Sequence, residues 1–225
     1  MPPLLLKLSE KRPDRLHYIG VSYGLTPALH KFWKRADFVP LYLRQTPNDL
    51  TGEHTCVMLK ALKSDDLVTS CDPNWLSAFA RDFHRRILNL LSYQFSVYPT
   101  VLALSIMEAT KKVIRDSDRS RGMYPLSTLF SVYSYSFLLS LIGVSLIVLT
   151  KNDLDNLFSS YDLKRLDRYA KNLLDYHVIV DLVPNIAFLY FEGRFGESVK
   201  LSGIQSSLLA GIGLQKKTID KLEVR

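Results

Sequence analysis

The chain has 225 residues, 47% of them hydrophobic, and its 29 Lys and Arg outweigh 22 Asp and Glu for a formal charge of +7. That apolar fraction excludes a wholly disordered chain, and the length allows one large or two small cores. The cationic excess suits a polyanion, RNA or an acidic membrane surface, and equally a plain solvated basic surface.

The opening run MPPLLLKLSEKRPDR is not a signal peptide, because its apolar stretch is only Leu4–Leu6 and no small-residue cleavage site follows. Residues 16–22 read as a strand that Gly24 ends. Thr26 then offers an N-cap oxygen and Pro27 takes the first helical position, where its missing N–H costs nothing. The helix 27–36 groups Ala28, Leu29, Phe32 and Trp33 on one side. Residues 38–43 form a second strand whose internal Pro40 predicts an edge or a bulge. Residues 46–52 are turn-forming, and 54–59 form a third strand. Cys56 and Cys71 make no metal-spaced cluster, so no metal site is expected, and two thiols suit a reducing compartment.

From Ala61 to Asp72 the chain turns polar, which marks a boundary. Asp72–Pro73 starts a helix over 73–91 with an apolar stripe of Leu76, Phe79, Phe83, Ile87 and Leu90. Arg81, His84, Arg85 and Arg86 fall off that stripe, beside Trp75, Tyr93 and Phe95; the set suits phosphate contacts and base stacking, or a solvated basic face. A helix over 101–115 and a charged loop over 116–122 follow. Residues 123–150 carry no charge at all, long enough for a membrane span of about 20 residues, or for a buried hairpin or helix.

Beyond Thr150 the helical period returns, with Leu163, Leu166, Ala170, Leu173 and His177 as the expected buried stripe and His177 as a core histidine. Lys164, Arg168 and Lys171 form a separate basic stripe diluted by Asp167 and Asp175, which suits an RNA contact or a plain solvated face. Pro184 kinks or restarts a helix over 185–191, and Gly193 and Gly196 mark a turn. Residues 201–214 read as a tightly packed helix in which Gly203, Ala210, Gly211 and Gly213 admit a close neighbour. No internal repeat or low-complexity tract is present.

The run GVSYGLTPALHKFWKRADFVPLYLRQTPNDLTGEHTCVMLK resembles the RNA cytidine acetyltransferases, most specifically in LRQTPNDLTGEH, residues 43–54. YDLKRLDRYAKNLLDYHVIVDLVPNIAFLYF (161–191) and LSGIQSSLLAGIGLQKKTIDKLE (201–223) resemble the same family's C-terminal RNA-binding region. The resemblance covers about residues 1–110 and 153–225 and breaks between them, so translated non-coding sequence becomes the first reading of 123–150, ahead of a membrane segment.

The resemblance implies an α/β segment followed by mostly α structure: the C-terminal half of a GNAT acetyltransferase fold over 1–62, and a helical tRNA/RNA-binding domain over 63–225. It implies acetyl transfer from acetyl-CoA to cytidine N4 in small-subunit rRNA and tRNA, with ATP and Mg used by an upstream ATPase module. Neither a phosphate-binding G-x-x-x-x-G-K-[ST] run nor a glycine-rich pyrophosphate turn occurs here, so this chain alone is expected to be inactive. The implied partners are rRNA, tRNA and pre-ribosomal small-subunit proteins, with a homodimer of the full-length protein, in the nucleus and nucleolus. A membrane is not among them. A non-catalytic RNA-binding or ribosome-assembly module is the alternative.

Cytosine's exocyclic amine is a poor nucleophile, so transfer needs placement, a proton acceptor and oxyanion donors. Tyr42, Arg44, Gln45 and His54 are the expected catalytic groups, Arg44 and Gln45 favoured among them; His54 is alternatively a satisfied structural histidine, Tyr42 a packing residue, and Asn48 beside them a base reader or an ordinary turn residue. Tyr23, Phe32, Trp33 and Arg44 are the expected cofactor-binding groups; Arg81, Arg85, Arg86, Lys164, Arg168 and Lys171 are expected on RNA. Many GNAT helices carry at the Trp33 position a tyrosine that protonates the departing thiolate, and glycine at the Asp37 position. Trp33 cannot act as that acid; Tyr23 or Tyr42 can.

Overall fold

A computed structural model describes residues 7, 9–10, 16–62, 75–120, 151–196 and 199–222, with backbone alone at 119–120 and 151–153. The uncharged run 123–150 and the polar boundary 63–72 with its Asp72–Pro73 start lie outside the described residues. The chain divides into two compact units, Met1–Leu76 and Ser77–Arg225.

In the first unit, β1 (Tyr18–Gly24), β2 (Val39–Leu43) and β3 (Thr55–Ala61) form an antiparallel sheet in the order β1-β3-β2. Pro40 has both of its expected consequences. Strand β2 lies at an edge of this sheet, and its register with β3 slips between Pro40 and Tyr42, so Leu41 and Tyr42 oppose Val57. Helix α1 (Pro27–Arg35) starts as its sequence predicts: the Thr26 hydroxyl accepts from the Leu29 amide at 3.3 Å, with Pro27 following.

Its end is a Schellman motif. The Phe38 amide donates to Trp33 O at 3.1 Å and the Asp37 amide to Lys34 O at 3.2 Å, with Asp37 left-handed at φ 62°. The Trp33 and Phe38 rings meet edge to face at 5.1 Å, the apolar contact that accompanies such a cap. Lys60 Nζ reaches from β3 to Ala36 O at 2.9 Å, placing a cation at the negative helix end. The expected apolar stripe is not the buried one. Leu29 and Phe32 are exposed, Trp33 is half-buried, and His30 is the buried residue of α1. With apolar groups on two sides of a nine-residue helix, packing against the sheet chose the phase.

In the second unit, α2 (Trp75–Leu90) and α3 (Thr100–Ser120) are followed by α4 (Lys151–Leu157), α5 (Ser160–Ala170), α6 (Val183–Glu192) and α7 (Gly203–Leu209). Pro184 restarts the chain as expected, within the first turn of α6. The expected loop at 116–122 is helical through Ser120. Ser77 donates to Ser117 at 2.9 Å and Arg81 pairs with Asp118 at 2.7 Å, contacts with α2 that carry α3 onward.

Two stripes turn out rotated. In α2 the buried groups are Ser77, Ala80, Phe83, His84, Ile87 and Leu88, while Phe79 is exposed. In α5 no residue is buried. Leu166 alone of the expected stripe packs against the cluster of Phe158, Leu182 and Leu189. Leu163, Ala170, Leu173 and His177 are exposed, so His177 is not a core histidine.

Helix α7 runs into a wider π-helical turn, Ala210–Leu214. The expected close approach holds at two glycines. A Cβ on Gly213 would lie 2.4 Å from Ala187 Cβ, and one on Gly211 would lie 2.2 Å from Leu222 Cδ2. Gly203, with nothing within 4 Å, is not such a site. The buried Gln215 closes the turn: its Nε2 donates to Tyr98 O at 2.9 Å and Phe95 O at 3.2 Å, and its Oε1 accepts from Thr100 at 2.8 Å.

Candidate functional site

The β register separates the residues expected at the acyl-transfer site. Tyr23 and Leu43 both pair with Cys56, so these three share one face of the sheet, and the Tyr23 ring lies 6.4 Å from Trp33 of α1. Tyr42 pairs with Val57, one position on, and Arg44 lies two residues beyond Tyr42. Tyr42 and Arg44 therefore occupy the face opposite α1, where both are exposed. Cofactor-binding and catalytic candidates thus fall on two faces, with Arg44 as the one residue expected in both roles.

On the α1 face, the Tyr23 hydroxyl donates to Met58 Sδ at 3.0 Å. Burial, reinforced by Cys56, holds the phenol far above the usual tyrosine value, and burial pushes the Cys56 thiol up to about 12. A phenol so reluctant to ionise keeps its proton, which favours Tyr23 as a wall over Tyr23 as the acid for a thiolate. Trp33 has Phe32, Phe38 and Tyr23 around it at centroid distances of 5.0, 5.1 and 6.4 Å, and belongs to the packing of α1.

On the β2–β3 turn, His54 Nδ1 lies 2.8 Å from Arg44 O. A carbonyl only accepts, so Nδ1 carries the hydrogen of this bond. The Arg44 amide donates to Thr55 O, and its Nε to Thr46 Oγ1 at 2.9 Å, which aims the exposed guanidinium. Gln45 is half-buried. Asn48 is a turn residue: its Oδ1 accepts from the Leu50 amide at 2.9 Å, and its own amide donates to Glu53 O at 2.8 Å. Gly52, at φ +69°, takes the left-handed position that the turn requires. The family-specific run thus builds a self-bonded turn that holds Arg44 and His54 together.

In the helical unit the six residues expected on RNA are all exposed. They are not equally available. Arg81 pairs with Asp118, and Lys171 with Asp167 at 2.7 Å. Arg85, Arg86, Lys164 and Arg168 remain as solvated cations, Lys164 with its Nζ 5.6 Å from the centroid of the exposed Tyr161 ring.

His84, expected among the arginines, is instead buried. Its Nε2 donates to Phe191 O at 2.9 Å and its Nδ1 lies 2.7 Å from Thr110 Oγ1. Burial holds its pKa below the usual value, with the Lys111 and Arg81 charges adding to the effect. Sequence reasoning also missed Gln215 and Tyr161; for Tyr161 a signal existed in its spacing from Lys164, Arg168 and Lys171.

Residues 1–63 match the family model described as GNAT acetyltransferase 2, and residues 75–138 and 144–225 match that described as "Possible tRNA binding domain". Sheet, helical unit and matches together define the class: an acetyltransferase segment joined to a helical domain of a tRNA-binding type. The RNA cytidine acetyltransferase of Schizosaccharomyces pombe is 52% identical over 227 residues, and that of Saccharomyces cerevisiae 51% over 222. The Homo sapiens enzyme of the same name is 48% identical over 223 residues. The chain belongs to the RNA cytidine acetyltransferase family. Each likeness covers 99% of this chain and only 18–19% of the relative, so the chain spans less than a fifth of those proteins.

The matched stretches correct one expectation. They run through residue 138 and resume at 144, so the likeness does not break from 111 to 152, and the ground for reading 123–150 as translated non-coding sequence falls away. No helix among the described residues is long and apolar enough to cross a membrane; residues 123–150 are outside that set.

Proposed function

We propose that this chain supplies the closing part of the acetyl-transfer site and the RNA-binding domain of an enzyme that acetylates cytidine N4 in small-subunit rRNA and tRNA. The observation that carries the reading is the match of 99% of the chain to RNA cytidine acetyltransferases, with Arg44 and His54 joined inside the family-specific turn. Bound acetyl-CoA would supply the thioester carbonyl: as the amine attacks and the C–N bond forms, the C–S bond would break and coenzyme A would leave as its thiol, the proton lost by the amine balancing the one gained by sulfur. His54 takes the amine proton, and Arg44 and Gln45 orient phosphate or base edge. Tyr42 borders the same face. Tyr23, Trp33 and the exposed Phe32, on the sheet face opposite Arg44, form an aromatic wall suited to the part of an acyl-CoA chain remote from the reacting carbonyl, a fit supported by the ring cluster. The same reading places ATP and Mg on an upstream module, pre-ribosomal small-subunit proteins and a second copy as partners, and the protein in the nucleolus.

The test is acetyl incorporation into RNA by the protein that contains this chain. His54→Ala and Arg44→Ala are each expected to reduce it about a hundredfold or more. Unchanged incorporation in both variants overturns the assignment. The second reading, an RNA-binding or ribosome-assembly module without catalysis, is favoured by the larger share of the chain matched to the tRNA-binding family. It requires salt-sensitive RNA binding and no acetyl-CoA binding.

A further inference from the structure

Helix α5 is poorly explained as packing. It contributes Leu166 to the core, and none of its residues is buried. Tyr161, Lys164, Arg168 and Lys171 follow at spacings of three, four and three residues, within about a quarter of the helix circumference and on the side away from Leu166. At about 1.5 Å per residue, the stripe runs along some 15 Å of surface.

The ends of the stripe differ. Tyr161 is 75% exposed, a large amount of aromatic surface to leave in water. It does not float freely: Lys164 Nζ sits over its ring at 5.6 Å. An ammonium over one face fixes the rotamer and strengthens the ring as a partner, leaving the opposite face for a flat π-system. Lys171 is held by Asp167 and supplies less field, so Lys164 and Arg168 are the effective cations. The helix is itself rigidly placed. Ser159 and Asp162 form a capping box, and Arg165 binds Asp181 through both carboxylate oxygens, at 3.1 and 2.9 Å, and Val178 O at 2.9 Å.

We propose that Tyr161, Lys164 and Arg168 form a platform for single-stranded RNA, one unpaired base stacking on the Tyr161 ring while the two cations take the adjoining phosphates. This rests on the RNA-binding reading above and narrows it to unpaired nucleotides. A duplex offers phosphates to Lys164 and Arg168 but no exposed base face to Tyr161. A docked protein helix is the weaker occupant, because cations rather than aliphatic groups follow Tyr161 along the stripe.

The test uses the full chain and two labelled RNAs of equal phosphate number, one single-stranded and one a blunt duplex, titrated over a salt series. Tyr161→Ala is expected to weaken single-strand binding about tenfold, with the salt slope and duplex binding unchanged, and Tyr161→Phe to retain it. Lys164→Ala with Arg168→Ala is expected to flatten the salt slope for both RNAs. Salt-dependent RNA binding that Tyr161→Ala leaves unaltered overturns the platform and leaves the broader RNA reading standing. Absence of salt-dependent binding in the wild-type chain overturns both. Loss of a protein partner in Tyr161→Ala, with RNA binding intact, assigns the stripe to protein docking and overturns it as well.

Discussion

His84 and Phe191 are 107 residues apart in sequence and meet across 2.9 Å, the imidazole Nε2 donating to the backbone carbonyl. With Thr110 on Nδ1, the one buried ring ties α2, α3 and α6 together. Removing it strands the buried Phe191 carbonyl, leaves the Thr110 hydroxyl only its bonds within α3, to Met107 O at 2.8 Å and Ile106 O at 3.4 Å, and opens a cavity. His84→Ala is expected to cost about 2–4 kcal/mol in urea denaturation, and His84→Gln less, through retention of one bond.

The same histidine sets a pH window. Its folded pKa lies below the ordinary 6.5, so the unfolded chain takes up the proton first as pH falls. The contribution to stability is complete above 6.5 and is lost progressively as pH falls below it. Asp162, held at about 2 by Arg165 and Ser159, acts in a separate window, from its ordinary 3.8 downward. The urea midpoint of the wild type should fall between pH 7 and pH 5 more than that of His84→Gln; parallel curves would contradict the assignment.

Asp37 stands in the left-handed cap position of α1 at φ 62°, where glycine carries no Cβ penalty. Asp37→Gly is expected to raise stability by about 0.5–1 kcal/mol, and Asp37→Val to lower it. A thermal midpoint that falls in the glycine variant would show that the Asp37 carboxylate contributes more than its backbone costs.

Two glycines ten residues apart should respond in opposite ways. Gly213→Ala drives a methyl group into Ala187 and to within 3.1 Å of Val183 O, and is expected to cost about 1–3 kcal/mol. Gly203→Ala meets nothing within 4 Å at the start of α7 and should be neutral or stabilising by up to about 1 kcal/mol. Equal denaturation midpoints for the two variants would contradict the packing of the π turn on α6.

Arg81 and Arg86 share a helix but not an environment. The Asp118 carboxylate already balances Arg81, while Arg86 is an exposed cation. Arg86→Ala is expected to lower the slope of log affinity for single-stranded RNA against log salt by about 0.7, and Arg81→Ala by less. The reverse order would move the phosphate-contacting face to the other side of α2.

Local chemistry made much of this legible in advance. Thr26–Pro27 starts α1 because a hydroxyl cap and a proline without N–H act within one turn. Pro40 marked the edge strand and its bulge because it lacks a ladder donor. The run from Leu43 to His54 announced both the turn and the family, since its asparagine and glycine bond within their own loop.

What local chemistry could not decide was phase. The periods of α1 and α2 were read correctly, but each carries apolar groups on more than one side, and only its neighbours determine which side is covered. The stripe expected from Leu163 to His177 ran too far, because α5 ends at Ala170 and the left-handed Asn172 turns the chain before Leu173 and His177. So His84 went inward, where a carbonyl 107 residues away satisfied it, while Phe32 and Phe79 stayed outside. The site was divided in the same way. The sequence by itself determined that Tyr23, Tyr42 and Arg44 lie on strands, but strand register, a cross-chain property with a period of two, put Tyr23 on one face of the sheet and Tyr42 and Arg44 on the other.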